Sequence, residues 1–391
     1  MPRGVRLGED SGALTSPASI DPDFWRARRV LVTGHTGFKG AWLSLWLQSL
    51  GAQVTGLAPA PPTEPSLYGL ARVGEGMAAE LPSDIRDAAA VAEAVRASRP
   101  QAIFHLAAQP MVRLSLREPA MTFAVNVMGT VNVLEAVRLH GEGVQAVVVV
   151  TSDKCYDNPP GEARRLTEDD PLGGKDPYSA SKAGAELVTA AYRESLFDGG
   201  AAAAGVRVAS ARAGNVIGGG DFGEDRLIPD VLRAQAARRA VRIRNPQAIR
   251  PWQHVLNPLS GYMALAQALG SAPAHGARAE APGGNGLARG AAAARAWNFG
   301  PRAQDCRTVL DVVRPLCELL EGEVRWEIDP GENPPEAGRL ELDSSAAEAR
   351  LGWRPRWDLE EALVRVAQWH RRERAGSDMR STSFEQIAAF C

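Results

Sequence analysis

The sequence is poor in the residues that build disulfide frameworks and metal sites. Its 391 residues include only four cysteines and six histidines. Cys155, Cys306, Cys317 and Cys391 show no paired spacing, which argues against a disulfide framework. The scattered histidines and cysteines also lack the spacing of a ligand cluster, so we expect no metal site. Unpaired thiols are typical of a reducing compartment, and we expect the protein to be cytoplasmic.

The sequence also lacks an excess of either charge, with 44 basic and 46 acidic side chains. It therefore offers no general attraction for nucleic acid or for an anionic membrane. Residues 1–24 lack the apolar core of a signal peptide, and we expect them to form a disordered tail. No stretch reads as long and apolar enough to span a bilayer, so neither nucleic acid nor a membrane is expected as a partner.

Short apolar runs alternate with amphipathic segments of helical length from Arg28 onward. The strand-like runs are RVLVTG, AQVTGLA, AIFHLAA, AVVVVTSD and VRVASAR, with a weaker candidate in ELPSDIR and a later one in AWNFG. Such alternation is typical of βαβ units, whose parallel strands are buried on both faces. The sequence therefore predicts an α/β fold with a doubly wound (Rossmann) parallel sheet.

The rhythm changes near residue 213, where glycines and a proline interrupt the pattern. We assign residues 25–212 to the dinucleotide-binding Rossmann domain and residues 213–391 mainly to a smaller C-terminal substrate-binding domain. Short returns to the first domain are expected near 252–268 and 296–302. Residues 270–295 are rich in alanine and glycine without an apolar period, which predicts a flexible loop.

The segment VTGHTGFKG joins the first strand to the first long helix and carries Gly34, Gly37 and Gly40. Such a turn lets backbone N–H groups and the positive end of the helix dipole hold a pyrophosphate. A tight packing turn would explain the glycines alone, but the flanking strand and helix favour a dinucleotide. Ala58 stands where an acid usually binds the ribose hydroxyls, which leaves the choice between NAD and NADP open at this point.

Tyr178 and Lys182 are four residues apart and share one face of a predicted helix. An ammonium on that face lowers the pKa of the phenol from its reference of about 10 toward neutrality, which makes Tyr178 a candidate base. An exposed helix pair would explain this common spacing equally well. Here it follows a strand that ends in Ser152-Asp153-Lys154, at the carboxyl edge where ligands bind in such folds.

Several segments together carry a resemblance to a known family: GHTGFKGAWL, HLAAQPMVRLS, NVMGTVNVLEA, TSDKCYDN, DPYSASKAGAELV, RAGNVIGGGDFGEDRLIPD and IRPWQHVLNPLSGY. From about Trp25 to the C-terminus the chain resembles the extended short-chain dehydrogenases/reductases and, among them, the CDP-glucose 4,6-dehydratases. The resemblance implies NAD-dependent conversion of CDP-glucose to CDP-4-keto-6-deoxyglucose. The steps are transient oxidation at carbon 4, elimination of water across carbons 5 and 6, and hydride return to carbon 6.

Two other functions are weighed against this one. Sugar-nucleotide 4-epimerases share the glycines and the Tyr-x-x-x-Lys spacing, but they are not expected to carry the Asp153-Lys154 pair. A non-catalytic regulator that binds a dinucleotide is the second alternative. The intact set of Ser152, Tyr178 and Lys182 argues against it.

The resemblance implies a role for each polar group at the end of the catalytic strand and helix. Tyr178 takes the proton of the sugar 4-hydroxyl, Ser152 holds that hydroxyl, and Lys182 holds the cofactor ribose and the phenolate. Asp153 is the implied general acid and must be kept protonated. Lys154 stands where related dTDP-glucose dehydratases have a glutamate base. It can act as a base only when neutral, and its alternative role is to position the sugar or stabilise the enolate.

The resemblance also implies the binding residues and the oligomeric state. Because the planar fork of arginine donates to two oxygens at once, arginines suit a diphosphate. The family usually has histidine before the equivalent of Glu336, whereas this chain has Pro335, which leaves cytidine selectivity open. The helices near 119–140 and 178–197 pair across a two-fold axis in the family, so a homodimer, or a tetramer, is expected. Implied cofactor contacts are Gly34, Thr36, Gly37, Phe38, Lys39, Gly40, Asp84, Ile85, Leu106, Ala107, Ala108, Tyr178 and Lys182, and implied substrate contacts are Gln109, Asn215, Arg226, Leu227, Arg244, Asn245, Arg250, Asn298 and Arg339.

Overall fold

The computed structural model describes residues 20–158, 164–197, 205–271, 286–320, 325–329 and 338–391, with backbone alone at 286–289. Most of the predicted tail, the centre of the predicted loop, Pro335 and Glu336 lie outside these ranges. The tail prediction is wrong at its end, because Pro22–Trp25 is a helical turn that the Asp21 side chain caps. The loop prediction is likewise wrong for Gly286–Ala293, which is helical.

The strands form one large sheet and several short pairs. Seven parallel strands lie in the order β11-β6-β5-β4-β1-β2-β3, which confirms the predicted doubly wound Rossmann sheet. The central run AVVVV is buried at every residue, which explains why its sequence is continuously apolar rather than alternating. The strands are β1 (Arg29–Thr33), β2 (Gln53–Leu57), β3 (Ala79–Leu81), β4 (Ala102–His105), β5 (Ala146–Val150), β6 (Arg207–Arg212), β7 (Val216–Ile217), β8 (Val241–Ile243), β9 (Ile249–Pro251), β10 (Gln253–His254), β11 (Ala296–Asn298), β12 (Cys306–Thr308) and β13 (Trp326–Ile328).

Helices cover both faces of the sheet and surround the short strand pairs. Two of them continue into π-helical turns, Ala124–Met128 between α6 and α7 and Arg193–Phe197 after α8. The α-helices are α1 (Pro22–Trp25), α2 (Phe38–Ser49), α3 (Leu67–Leu70), α4 (Ala88–Ser98), α5 (Val112–Arg117), α6 (Pro119–Phe123), α7 (Gly129–His140), α8 (Pro177–Tyr192), α9 (Leu227–Ala236), α10 (Leu256–Gly270), α11 (Gly286–Ala293), α12 (Val309–Leu319), α13 (Ser345–Leu351), α14 (Leu359–Arg374) and α15 (Met379–Phe390).

Each face of the large sheet has its own hydrophobic core. One core joins the sheet to α2, α10 and α15, and it includes Trp42, Trp46 and Phe390. The other joins it to α4, α7 and α8. Helix α10 and strand β11 thus lie with the sheet despite their late position in the chain. Helix α15 does so too, although our division of the chain near residue 213 placed it with the second domain.

A smaller core lies beyond the sheet and combines α9, α12 and α14 with short strands. Its pairs are β7 with β10, β8 with β13 and β9 with β12. Ile228, Val231 and Leu232 of α9 pack there against Val312 and Leu316 of α12. This second core holds β9 and the start of α9 opposite the carboxyl edge of the sheet.

The continuous helix Pro119–His140 is long and apolar enough to cross a membrane by length and composition alone. The expectation that no stretch meets these criteria is therefore wrong. In the fold, 44% of its most apolar window is buried. Asn126 lies on its buried side and donates hydrogen bonds to the Gln109 carbonyl (3.0 Å) and to Ser181 Oγ (2.8 Å). Core helices of this kind pass the same test, so the helix is weak evidence for a membrane.

Candidate active site

A cleft of about 1310 Å³ lies over the carboxyl ends of β1, β4 and β5, where the strand order of the sheet reverses. We call it the main cleft. It brings together residues from the glycine turn, the catalytic strand and helix, and the second core. The site residues expected from the sequence that line it are Gly34, Thr36, Gly37, Phe38, Lys39, Gly40, Asp84, Ile85, Leu106, Ala107, Ala108, Gln109, Ser152, Asp153, Lys154, Tyr178, Lys182, Asn215, Arg226, Leu227, Arg244, Asn245 and Arg250.

Two expected substrate contacts do not line the main cleft. Asn298 is fully buried, donates to the Leu166 carbonyl at 2.9 Å and accepts from the Tyr156 hydroxyl at 2.7 Å. Arg339 pairs with Glu341 at 2.6 Å on the neighbouring segment. The structure thus places Asn298 and Arg339 outside the lining of the main cleft, and their assignment to substrate binding stays a prediction.

The turn between β1 and α2 has the geometry of a pyrophosphate site. Gly34 has a φ of +78°, and a Cβ there would lie 2.7 Å from the Ala107 amide nitrogen. At Gly40 a Cβ would lie 2.1 Å from the Gly34 carbonyl oxygen, so only glycine allows α2 to start so close to the turn. Gly37 caps α2 without a side-chain hydrogen bond. The first amides of the helix can therefore donate to an anion, and the residues present fit a dinucleotide.

The part of the main cleft that lies beyond the end of β2 has few charged side chains available to a ligand. Ala58 and Pro59 follow β2, and the Pro59 carbonyl accepts a hydrogen bond from Thr36 Oγ1 at 3.1 Å. Asp84 lines the cleft but is already engaged by Arg86, which donates to it at 2.8 and 3.0 Å. These hydrogen bonds hold the pKa of the Asp84 carboxyl below its ordinary value. The end of the main cleft beyond β2 is thus lined mainly by apolar and neutral groups, together with Asp84 and Glu64.

Ser152 is the hub of the catalytic hydrogen bonds. Its Oγ donates to Asp153 Oδ1 at 2.9 Å and accepts from the Lys154 amide at 3.2 Å, and it lies close enough to the Tyr178 phenol to oppose the rise of that group's pKa. Helix α8 starts in register because Asp176 accepts hydrogen bonds from the amide and hydroxyl groups three residues later. The end of strand β5 and helix α8 therefore bring the Ser152 hydroxyl, the Asp153 carboxyl and the Tyr178 phenol together in the main cleft.

The phenol and the ammonium of α8 are both perturbed by burial. Burial raises the pKa of Tyr178 to about 12, against the opposing effects of the Ser152 hydrogen bond and the Arg226 charge. Burial lowers the pKa of Lys182 to about 8, and its Nζ donates to the Val150 carbonyl at 3.4 Å. The expectation that Lys182 brings the phenol pKa toward neutrality is thus wrong for this structure, because burial outweighs neighbouring positive charge.

The Asp153 carboxyl has the character expected of a proton donor. The residue is 3% exposed, and burial raises its pKa in spite of nearby Lys154, Arg250 and Lys39. Among the described residues, its Oδ2 has no hydrogen-bond partner. A carboxyl with a raised pKa and one free oxygen can give a proton to a group bound in the cleft.

The opposite wall of the main cleft is cationic. Lys39, in the first turn of α2, lies between this wall and the catalytic residues, and burial, with the charges of Lys182 and Arg226, lowers its pKa to about 8. Arg226 donates to both oxygens of Asp221 at 3.0 Å, which fixes its guanidinium at the start of α9. Arg250 is 6% exposed and donates to the Ile249 carbonyl at 3.0 Å. Such a wall suits a diphosphate.

Sequence reasoning missed three charged residues of this wall. Asp221 orients Arg226, and Asp225 lies between Arg113 (3.1 Å) and Arg244 (3.5 Å). All three missed residues (Asp221, Asp225 and Arg113) stand inside sequence segments already singled out, RAGNVIGGGDFGEDRLIPD and HLAAQPMVRLS. The available signal was their position inside these segments. Position in the sequence does not show which charged side chains line a cleft and which are solvated.

Comparisons with known proteins agree with this geometry. The profile of the family described as "GDP-mannose 4,6 dehydratase" matches residues 31–366. A CDP-glucose 4,6-dehydratase of Salmonella typhimurium is 46% identical over 95% of this chain and 98% of that protein. A dTDP-glucose 4,6-dehydratase of Xanthomonas campestris pv. campestris is 26% identical over 87% of this chain and 92% of that protein.

Solved structures give the same fold. A UDP-glucose 4-epimerase of Thermus thermophilus, solved as a complex with NAD, superposes with a TM-score of 0.68. It is 26% identical, and the match covers 87% of this chain and 98% of that one. With a family profile matched over most of its length and a relative of high identity over nearly all of it, the chain belongs to the nucleotide-sugar 4,6-dehydratase family of extended short-chain dehydrogenases/reductases.

Proposed function

We propose that this protein dehydrates CDP-glucose to CDP-4-keto-6-deoxyglucose. The observation that carries the proposal is the convergence of Ser152, Asp153, Tyr178 and Lys182 in one cleft beside a dinucleotide turn. The relative of 46% identity, a CDP-glucose 4,6-dehydratase, supports the choice of the reaction and of the nucleotide.

The proposed cofactor is NAD. Bound in the main cleft, NAD supplies a nicotinamide that accepts the hydride of carbon 4 and gives it back at carbon 6. The glycine turn and the free amides of α2 would hold its pyrophosphate. The NAD complex of the Thermus thermophilus epimerase, which shares this fold, supports this assignment.

Three residues act on the sugar 4-hydroxyl. Tyr178 takes its proton, and Ser152, which lies beside the phenol, holds the hydroxyl oxygen. Lys182 holds positive charge beneath the phenol and favours the phenolate as it forms. Because a protonated phenol cannot accept that proton, positive charge in the occupied cleft must lower the pKa of Tyr178 from about 12 during the reaction.

Two further residues act on the elimination of water. Asp153 protonates the departing 6-hydroxyl, which its raised pKa and free Oδ2 allow. Lys154 lies next to it at the cleft surface and removes the proton from carbon 5 in its neutral form. Its alternative role is to position the sugar and stabilise the enolate by charge. Lys154→Arg tests this, because arginine keeps the charge but cannot act as a base, so turnover survives only if Lys154 acts by charge and position.

Substrate binding is assigned to the cationic wall. Arg226 and Arg250 grip the diphosphate, and Asn215 lies beside them in the main cleft. Arg244, Asn245, Leu227 and Gln109 complete the set of proposed contacts. The preference for cytosine rests on the similarity to the Salmonella typhimurium enzyme.

The proposed reaction is distinguished from 4-epimerisation by the mass of the product. Purified protein with NAD and CDP-glucose, UDP-glucose or dTDP-glucose is expected to yield a keto sugar lighter by one water with CDP-glucose. A product of unchanged mass would instead support an epimerase. Tyr178→Phe is expected to bind CDP-glucose and lose turnover, whereas Tyr192→Phe, near the exposed end of the same helix, keeps it.

A homodimer in the cytoplasm completes the proposal. Phe123, Met128, Leu139, Leu187 and Leu196 are exposed large apolar side chains on the helices Pro119–His140 and Pro177–Phe197, which pack against each other. A two-fold partner would cover this face. All four cysteines are free thiols, which supports a reducing compartment.

A further inference from the structure

Helix α8 carries a second ionisable side chain that the proposed chemistry does not use. Glu186 lies one turn after Lys182 and is 3% exposed. Its carboxylate accepts hydrogen bonds from Ser210 Oγ at 2.6 Å, from Arg212 Nη2 at 2.8 Å and from Thr151 Oγ1. One buried carboxylate thus joins three elements: β5 through Thr151, β6 through Ser210 and Arg212, and α8 itself.

The charge state of Glu186 follows from its partners. Burial alone raises the pKa of its carboxyl, but the charge of Arg212 and the hydrogen bonds from Arg212, Ser210 and Thr151 together keep the pKa below its ordinary value. The carboxylate is therefore charged, and its guanidinium partner is 4% exposed. Arg212 also donates to the Tyr156 hydroxyl at 2.7 Å, which ties it to the segment after β5.

The hydrogen bonds of Glu186 lie next to the catalytic residues in both the strand and the helix. Thr151 precedes Ser152 on the same strand end, and Glu186 stands four residues after Lys182 on the same helix. We propose that Glu186 is a positioning residue: it locks the ends of β5 and β6 to α8 and so sets the separation of Ser152 from the Tyr178–Lys182 pair. This inference rests on the proposed function, since it concerns the oxidation of the 4-hydroxyl.

The carboxylate has a second effect, through charge. Several groups face Lys182 from the packed elements: Lys39 from α2, neutral His105 from β4, Cys155 and the Val150 carbonyl from the β5 end, and Tyr178 and Glu186 from its own helix. Without the carboxylate, Lys182 loses a nearby negative charge, and the charge of Arg212 on β6 is no longer balanced. Lys182, whose pKa burial already lowers to about 8, would then lose its proton at still lower pH.

The test compares Glu186→Gln with Glu194→Gln, an exposed acid on the π-helical extension of α8. For Glu186→Gln we expect kcat to fall on the order of 100-fold, since small misplacements of reacting groups have that effect. The KM for CDP-glucose stays unchanged, and the alkaline limb of the kcat profile moves to lower pH. Glu194→Gln leaves kcat, the KM for CDP-glucose and the alkaline limb of the kcat profile unchanged. A folded Glu186→Gln protein with natural kcat and pH profile overturns the proposal.

Two weaker substitutions cover the case in which Glu186→Gln does not fold. Thr151→Val and Ser210→Ala each remove one donor and keep the Glu186–Arg212 ion pair. Both are expected to lower kcat without moving the alkaline limb, and natural kcat in both overturns the proposal. If the natural protein forms no keto sugar, the proposed function fails; if it does and the variants match it, only the positioning role fails.

Discussion

At the scale of single residues, the two half-reactions are separable. Asp153 is the proposed acid for the leaving 6-hydroxyl, and its link to oxidation at carbon 4 is the hydrogen bond that it accepts from Ser152, which asparagine can also accept. Asparagine has the same shape and cannot donate a proton as an acid, so Asp153→Asn should slow elimination by roughly 10² to 10⁴-fold. Reduced nicotinamide and CDP-4-ketoglucose should therefore accumulate in a single turnover, measured by absorbance and mass spectrometry. Immediate formation of the dehydrated product would contradict the assignment.

The same scale shows which residues a sequence can identify. Gly34, Gly40, Tyr178 and Lys182 were predictable, because backbone geometry and helical spacing fix their positions. The position of Asn298 outside the lining of the main cleft was not, because its amide is consumed by a carbonyl and a hydroxyl from segments far away in the chain. Spacing could not give the raised pKa of the phenol either, since burial depends on the whole fold.

At the scale of elements, the first βα unit depends on a close approach between the backbone at the start of α2 and the backbone of the turn after β1. A Cβ at Gly40 would lie 2.1 Å from a backbone oxygen, whereas one at Gly37 would lie 3.4 Å from it. Gly40→Ala should therefore lower the free energy of unfolding by about 1–3 kcal/mol, as overpacking does. Gly37→Ala should leave stability nearly unchanged but weaken NAD binding, because its methyl group faces the approach of the pyrophosphate. Denaturation and cofactor titration of both variants check this contrast.

The elements of the sheet were predictable and those of the second core were not. Long apolar runs determine buried parallel strands, and six of the seven strands of the sheet lie within runs visible in the sequence. The exception is β3, which is mostly exposed and overlaps the weak candidate ELPSDIR only at Glu80 and Leu81. Strands β7 and β10 have two residues each, too few to produce a pattern. Helix α15 shows only a weak apolar face along its length, so its return to the sheet depends on contacts with α2 that no local pattern reveals.

At the scale of the whole molecule, the exposed apolar face predicts association. Leu187 is 61% exposed at the centre of α8. Leu187→Glu should place a charge in the proposed interface and convert the dimer into a monomer, because a desolvated unpaired charge is costly. Sedimentation velocity measures the change. Ile328→Glu is the control and should remain dimeric, because Ile328 is similarly exposed (56%) but lies on β13, away from the helices of the proposed interface. A natural protein that sediments as a monomer would refute the interface.

The stability of the whole molecule should fall steeply on mild acidification. Burial lowers the pKa of His105, His254 and His370 to about 3 each, so the folded protein keeps them neutral. In the unfolded chain they bind protons below about pH 6.5, and each then removes about 1.4 kcal/mol of stability per pH unit. The loss begins below that pH and continues toward pH 3. Carboxylates contribute as well, so one histidine is best isolated by substitution.

His370 is suited to this because its Nε2 has no partner among the described residues and its ring packs edge-on against Phe222. His370→Phe keeps an aromatic ring and removes the titrating group. Denaturant unfolding between pH 6 and pH 4 should then show a stability slope shallower by about 1.4 kcal/mol per pH unit, which is the contribution of one histidine. A slope identical to that of the natural protein would mean that His370 takes up its proton in the folded state, and that burial in this core does not keep it neutral.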